Sequence, residues 1–121
     1  TLIIFDDVQK FLKDKQIKNL LLHMVNNRRH AQLSMRLLCQ NYFTIPLQVR
    51  MTLTNLFVFK VSKREMANIF TEQVELEKDS FDKILNIAHK DKHDFLFFDT
   101  ESRRIFLNWD EIELDENQLN E

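Results

Sequence analysis

The stretch Leu2-Ile3-Ile4-Phe5-Asp6-Asp7 decides how this chain reads. Four large apolar residues ended by two acids predict a short, fully buried strand that ejects carboxylates at its carboxyl tip. Val8, Phe11 and Leu12 then make one helical turn of apolar face, and Ile17, Leu20, Leu21, Met24 and Val25 keep a 3.6-residue period over roughly 16–28. Asn26-Asn27-Arg28-Arg29-His30 ends that helix, and the apolar run Leu33–Cys39 reads as a second strand stopping at Gln40.

Working outward, Asn41–Pro46 is a loop whose proline suits the first turn of a short helix through about Thr52. Leu56–Phe59 reads as a third buried strand. Ser62-Lys63-Arg64-Glu65 has capping-box spacing before Met66, Ile69, Phe70 and Val74. Asp79-Ser80 is placed as the cap of a further helix with Phe81, Ile84, Leu85 and Ala88 inward. Phe95–Phe98 and Arg104–Trp109 flank Asp99–Arg103 as a hairpin, and the acidic residues 110–121 read as a frayed tail. Strands alternating with helices imply an α/β fold with a parallel sheet, whose ligands bind beyond the carboxyl ends of the strands. Asp6, Asp7 and Gln40 fall at that edge.

Composition narrows the functions. Among 121 residues there is no glycine, where average usage would supply roughly eight. Phosphate cradles need that residue, because only a missing Cβ lets backbone amides close on a phosphate. A P-loop, a Rossmann fingerprint, a G-x-S-x-G elbow and an EF-hand are therefore excluded within these residues. No apolar run reaches the roughly 18 residues of a membrane span. Leu2–Phe5 is too short and lacks the basic flank of a signal peptide. The single cysteine, Cys39, argues against disulfides and for a reducing compartment. A chain opening on Thr1 and an apolar run reads as part of something longer. Charge is uneven: residues 1–60 hold nine Lys/Arg against three Asp, and residues 61–121 hold eight against sixteen acids. A basic half invites an anionic partner such as nucleotide or nucleic acid; a solvated surface of mixed charge is the competing reading.

Adjacent carboxylates leaving a buried strand suit nucleotide hydrolysis, the first holding Mg²⁺ and the second polarising the attacking water. Helix capping by Asp7 explains the same residue without chemistry. Arg28 and Arg29 can stabilise a transferring phosphoryl group across a subunit boundary, or simply compensate a helix C-terminus. Gln40 can position water or contact a γ-phosphate, or satisfy loop backbone. Arg50 is open in the same way. His89 and His93, four apart beside Asp91 and Asp94, lack a convincing third zinc ligand.

Taken in order, these segments resemble a known family: the packaging ATPases of the poxvirus type, within the FtsK/HerA group of ASCE P-loop motors. The resemblance is carried by "LIIFDD", "NRRHAQLSMRLLCQNYFTIPLQVR" and "TNLFVFK". They look like the family's Walker B strand, its Arg-His plus sensor-strand segment and the next core strand. It continues through "DFLFFDT…RIFLNWD", which looks like the end of such domains. Residues 1–109 would then be the C-terminal part of a P-loop ATPase domain, from Walker B onward, with 110–121 an acidic tail.

By position, the resemblance implies that Asp6 is the Walker B magnesium carboxylate and that Asp7, where many relatives have Glu, takes the place of the catalytic acid. Arg29, with Arg28 as the close alternative, resembles the arginine finger that reaches a neighbouring subunit. Gln40 resembles the γ-phosphate sensor, and Arg50 matches a basic, nucleotide-side position after "IP". The glycine-rich Walker A motif would lie before Thr1, so that these residues alone should not bind ATP tightly. The implied whole is a ring-forming homo-oligomer that uses ATP and Mg²⁺ to drive double-stranded DNA into a capsid. Its partners would be capsid or internal-membrane vertex proteins, and its location the host cytoplasm or the virion. Competing readings are a cellular or plasmid FtsK/HerA-like DNA pump and a non-catalytic remnant serving as a binding module.

Overall fold

The computed structural model describes residues 1–74 and 78–113. The chain divides into two compact units, Thr1–Leu53 and Thr54–Glu121.

In the first unit, β1 (Leu2–Phe5) pairs in parallel with β2 (Ser34–Leu37), in the register Leu2 to Ser34 through Phe5 to Leu37. Parallel strands need a crossover, and α1 (Lys15–Asn27) supplies it. Its start is set by Asp14, whose carboxylate accepts from Gln16 N at 2.9 Å and Ile17 N at 3.4 Å. Leu21 and Val25 of α1 join Val8, Ile45 and Val49 in a core that Phe5, Leu12, Leu22, Met35 and Leu37 complete. The last of these elements is α2 (Leu47–Arg50), opened by Pro46 as expected.

Alternation along β1 sends Ile3 and Phe5 inward and leaves Leu2 and Ile4 49% and 54% exposed. The expectation of a fully buried strand is corrected here: α1 covers one face of the β1–β2 pair, and side chains of period 2 can be buried on that face alone. Cys39, at the end of the apolar run Leu33–Cys39, is exposed.

The second unit is an antiparallel sheet in the order β3 (Asn55–Val58), β4 (Leu96–Asp99), β5 (Arg104–Leu107), β6 (Asp110–Glu111), with α3 (Lys63–Gln73) and α4 (Lys78–Ile87) between β3 and β4. This corrects the reading of Leu56–Phe59 as a third strand of the parallel sheet. One crossover helix returns the chain to the end where the strand began; two successive helices bring it to the opposite end, so β4 runs against β3. Ser62 Oγ caps α3 by accepting from Glu65 N at 3.1 Å. Asp79 and Ser80 lie inside the first turn of α4 rather than before it.

One sheet face carries Val58, Leu96, Phe98 and Ile105, all buried. Phe98 packs edge-on against Phe70 of α3 at 5.2 Å between ring centroids. The opposite face carries Phe57, Phe97 and Phe106 on neighbouring strands, stacked at 4.6 and 5.3 Å, with Trp109 at its margin. The hairpin across Asp99–Arg103 is present, closed by the Asp99–Arg104 pair. Arg104–Trp109 is not one strand, however. Asn108 takes a left-handed conformation (φ 54°), reverses the chain, and lets Asp110–Glu111 pair back as β6. Those two residues were read as tail; residues 114–121 of the tail lie outside the described residues.

The absence of glycine shows in the backbone. Left-handed positions are filled by Asp7, Gln32, His89, Arg103 and Asn108. Asp and Asn tolerate that region better than other non-glycine residues.

Candidate active site at the carboxyl edge of the parallel strands

The parallel ladder ends in a tight junction. Leu38 N donates to Phe5 O at 2.9 Å, and Val8 N donates to Leu38 O at 3.2 Å. That pairing holds the tips of β1 and β2 side by side, so Asp6-Asp7 and Gln40 share one edge although they lie 33 to 34 positions apart in sequence.

Asp6 is exposed beyond the end of β1. Asp7 adopts φ 57°, ψ 40° and makes no side-chain cap bond to the 3₁₀ turn Val8–Lys10. Its carboxylate instead meets Lys10 Nζ at 2.7 Å and accepts from the Gln9 amide. The hydrogen bond from Lys10 holds the Asp7 carboxyl below its ordinary value; partial desolvation opposes this, and Gln9 adds to it. The Lys10 ammonium is raised in return, first by that hydrogen bond and then by the charges of Asp7 and Asp6. The acid is thus ionised and oriented by two neighbours from its own turn.

Gln40 is exposed at the tip of β2, and its backbone N–H donates to Gln9 Oε1 at 3.4 Å. Gln9 therefore touches both tips. Sequence reading missed it, because an amide two residues after an acid carries no signal of its own; only the strand pairing brings Gln40 to it.

Arg50 follows in the same unit. Its guanidinium lies 4.7 Å from the Phe43 ring centroid and 5.4 Å from that of Tyr42. Those contacts anchor the loop after Gln40 to α2.

The two arginines are at the other end. Arg28 caps α1 and Leu33 N donates to Arg28 O at 2.8 Å, just before β2 begins. The length of the four-residue strands β1 and β2, roughly 13 Å, separates this end from Asp6 and Asp7. The pair also divides its tasks. The Arg28 guanidinium donates to Val25 O at 2.9 Å and Thr52 O at 3.4 Å, tying the C-terminus of α1 to the residues after α2. Arg29 is exposed. His89 is used structurally, with Nε2 3.0 Å from Val58 O. Among the described residues, no three or more His, Cys, Asp or Glu side chains gather into a metal-holding group. Nor is any helix among them long and apolar enough to cross a membrane.

This fold is shared with solved structures of viral genome-packaging ATPases. The chain is similar in structure to the genome packaging NTPase B204 of Sulfolobus turreted icosahedral virus 2 in complex with AMPPCP, with TM-score 0.69 and 18% identity over 93% of this chain and 53% of that one. For B204, the DNA-packaging ATPase from Sulfolobus turreted icosahedral virus, the TM-score is 0.66 at 16% identity, covering 93% and 52%. For the Sulfolobus turreted icosahedral virus 2 protein in complex with ATP-gammaS it is 0.63 at 19% identity, covering 89% and 51%. The chain thus spans about half the length of these solved structures. In sequence, the family model described as "Poxvirus A32 protein" matches residues 1–114, and the chain belongs to that family. No curated protein matches it in sequence.

Proposed function

We propose that this chain is the metal-, water- and phosphate-sensing part of a viral genome-packaging ATPase. The complete protein would couple ATP hydrolysis to movement of double-stranded DNA into a capsid. The observation that carries this reading is the split of the polar residues between the two ends of β1–β2: Asp6, Asp7 and Gln40 at one, Arg29 at the other. A packaging role is supported by membership of the poxvirus A32 protein family and by the fold shared with B204.

The donor set suits magnesium. A single exposed carboxylate beyond a strand is the kind of ligand Mg²⁺ takes, since the ion keeps several waters and fills other positions with phosphate oxygens. Asp6 would hold it, and the ion when bound supplies charge neutralisation to the β- and γ-phosphates. Asp7, ionised and aimed by Lys10 and Gln9, would accept the proton of the attacking water. Gln40, on the adjacent tip, would contact the γ-phosphate.

Arg29 would not serve the same nucleotide, because the four-residue strands, roughly 13 Å long, lie between it and Asp6–Asp7. It would therefore act on a neighbouring copy, which requires a homo-oligomeric ring and couples hydrolysis to subunit movement. The chain holds no glycine and spans about half of B204, so a glycine-rich cradle for the α- and β-phosphates would lie in another part of the complete protein. DNA would be gripped mainly by its phosphates, making translocation salt-sensitive and sequence-tolerant. The setting would be capsid assembly in the infected host.

Steady-state hydrolysis by the complete protein tests the reading. Asp7→Asn should lower kcat by about a hundredfold or more; a wild-type rate in that variant would refute it.

A further inference from the structure

We infer that Gln9 is a positioning residue that joins Asp7 to Gln40, so that the acid and the γ-phosphate contact move as one unit. The inference rests on the functional reading above and adds to it a residue and a coupling.

The backbone ladder between β1 and β2 stops short of the polar residues at their tips. Past the bonds from Leu38 N to Phe5 O and from Val8 N to Leu38 O, the tips of β1 and β2 diverge into separate turns. The next link between them is a side chain. Gln9, half-buried in the 3₁₀ turn after Asp7, donates from Nε2 to Asp7 Oδ1 and accepts at Oε1 from the backbone N–H of Gln40. The carboxylate it holds is the one also bound at its other oxygen by Lys10.

The chemistry asks for an amide. One end must donate to a carboxylate and the other must accept from a peptide N–H, and Gln offers both on one planar group. Glutamate would present acceptors at both ends, one of them against Asp7. Lysine would offer only donors. Asparagine is a methylene shorter and reaches one partner at a time. A displacement of Gln40 on loss of the γ-phosphate would thus pull on the Gln9 amide and rotate the Asp7 carboxylate.

Three variants of the complete protein, assayed for ATP hydrolysis, test this. Gln9→Met keeps length and volume but neither strong hydrogen bond; kcat should fall about tenfold while KM for ATP stays within about twofold. Gln9→Asn should lose a similar amount, and serves if Gln9→Met does not fold. In the double variant Gln9→Met with Gln40→Ala, the two losses should be less than multiplicative, because one removes the signal and the other its connection. A wild-type kcat in the Gln9 variants, or losses that multiply, overturns the inference. Asp7→Asn run alongside separates the failures. If Asp7→Asn is inactive and Gln9→Met is not, the coupling alone is wrong. If Asp7→Asn hydrolyses normally, the functional reading falls and the coupling with it.

Discussion

In Thr1–Leu53 two strands run parallel and their tips carry Asp6, Asp7 and Gln40, whereas in Thr54–Glu121 four strands run antiparallel and carry facing phenylalanines. Parallel pairing collects the carboxyl ends of successive strands at one edge, so polar residues distant in sequence converge there. Antiparallel pairing sends alternate tips to opposite ends, and what it aligns is side chains in the middle of the strands. The Phe57–Phe97–Phe106 row and the Phe70–Phe98 contact are products of that alignment. Chemistry therefore has a place to gather in the first unit, and packing dominates the second.

The largest effect is expected at Arg29. In the complete protein, Arg29→Ala should lower kcat about a thousandfold, with activity partly regained when it is mixed with Asp7→Asn subunits. Equal damage from Arg28→Ala would undo the division of tasks, since Arg28 is committed to Val25 O and Thr52 O. In the second unit the corresponding blow is Phe98→Ala. Removing that fully buried ring should cost about 3–5 kcal/mol, read as a lower urea midpoint. A loss under 1 kcal/mol would mean that the sheet face is not the core.

Smaller effects sharpen the picture. Asp14→Ala removes the cap of α1 and should cost about 1 kcal/mol, measured by thermal unfolding. At the β4–β5 hairpin, Ser102 and the Glu101 N–H hold the Asp99 carboxyl below its ordinary value of 3.8. Because the folded form is the more acidic, this contribution is complete above that value and is lost as pH falls through the lower folded one. Asp99→Asn should therefore weaken the acid dependence of the urea midpoint below about pH 4; an unchanged dependence would show that the hairpin is not held this way.

Much of the first unit could be read directly. Periodicity located α1 to within a residue or two, Pro46 marked α2, and an apolar run ended by acids marked β1. Each of these signals is local: side chains of a known period, a cap, a missing amide hydrogen. The "LIIFDD" and "NRRH" segments carried the family by the same kind of evidence. What failed was not local. Leu56–Phe59 looks like any buried strand, and only the even number of helices after it makes its partner antiparallel. Arg104–Trp109 looks continuous until Asn108 is seen to turn the chain while holding Phe95 N with its side chain at 3.1 Å.

The sequence by itself determined most of the elements, the family, and the residue types able to bind metal, activate water and reach a phosphate. Tertiary structure alone decided which of them meet. It set Asp7 and Gln40 on one edge with Gln9 between them, and sent Arg28 and Arg29 to the other. The physical reason is that a strand's direction and register are properties of pairs of segments, fixed by crossovers and hydrogen-bond ladders that no single stretch of sequence contains.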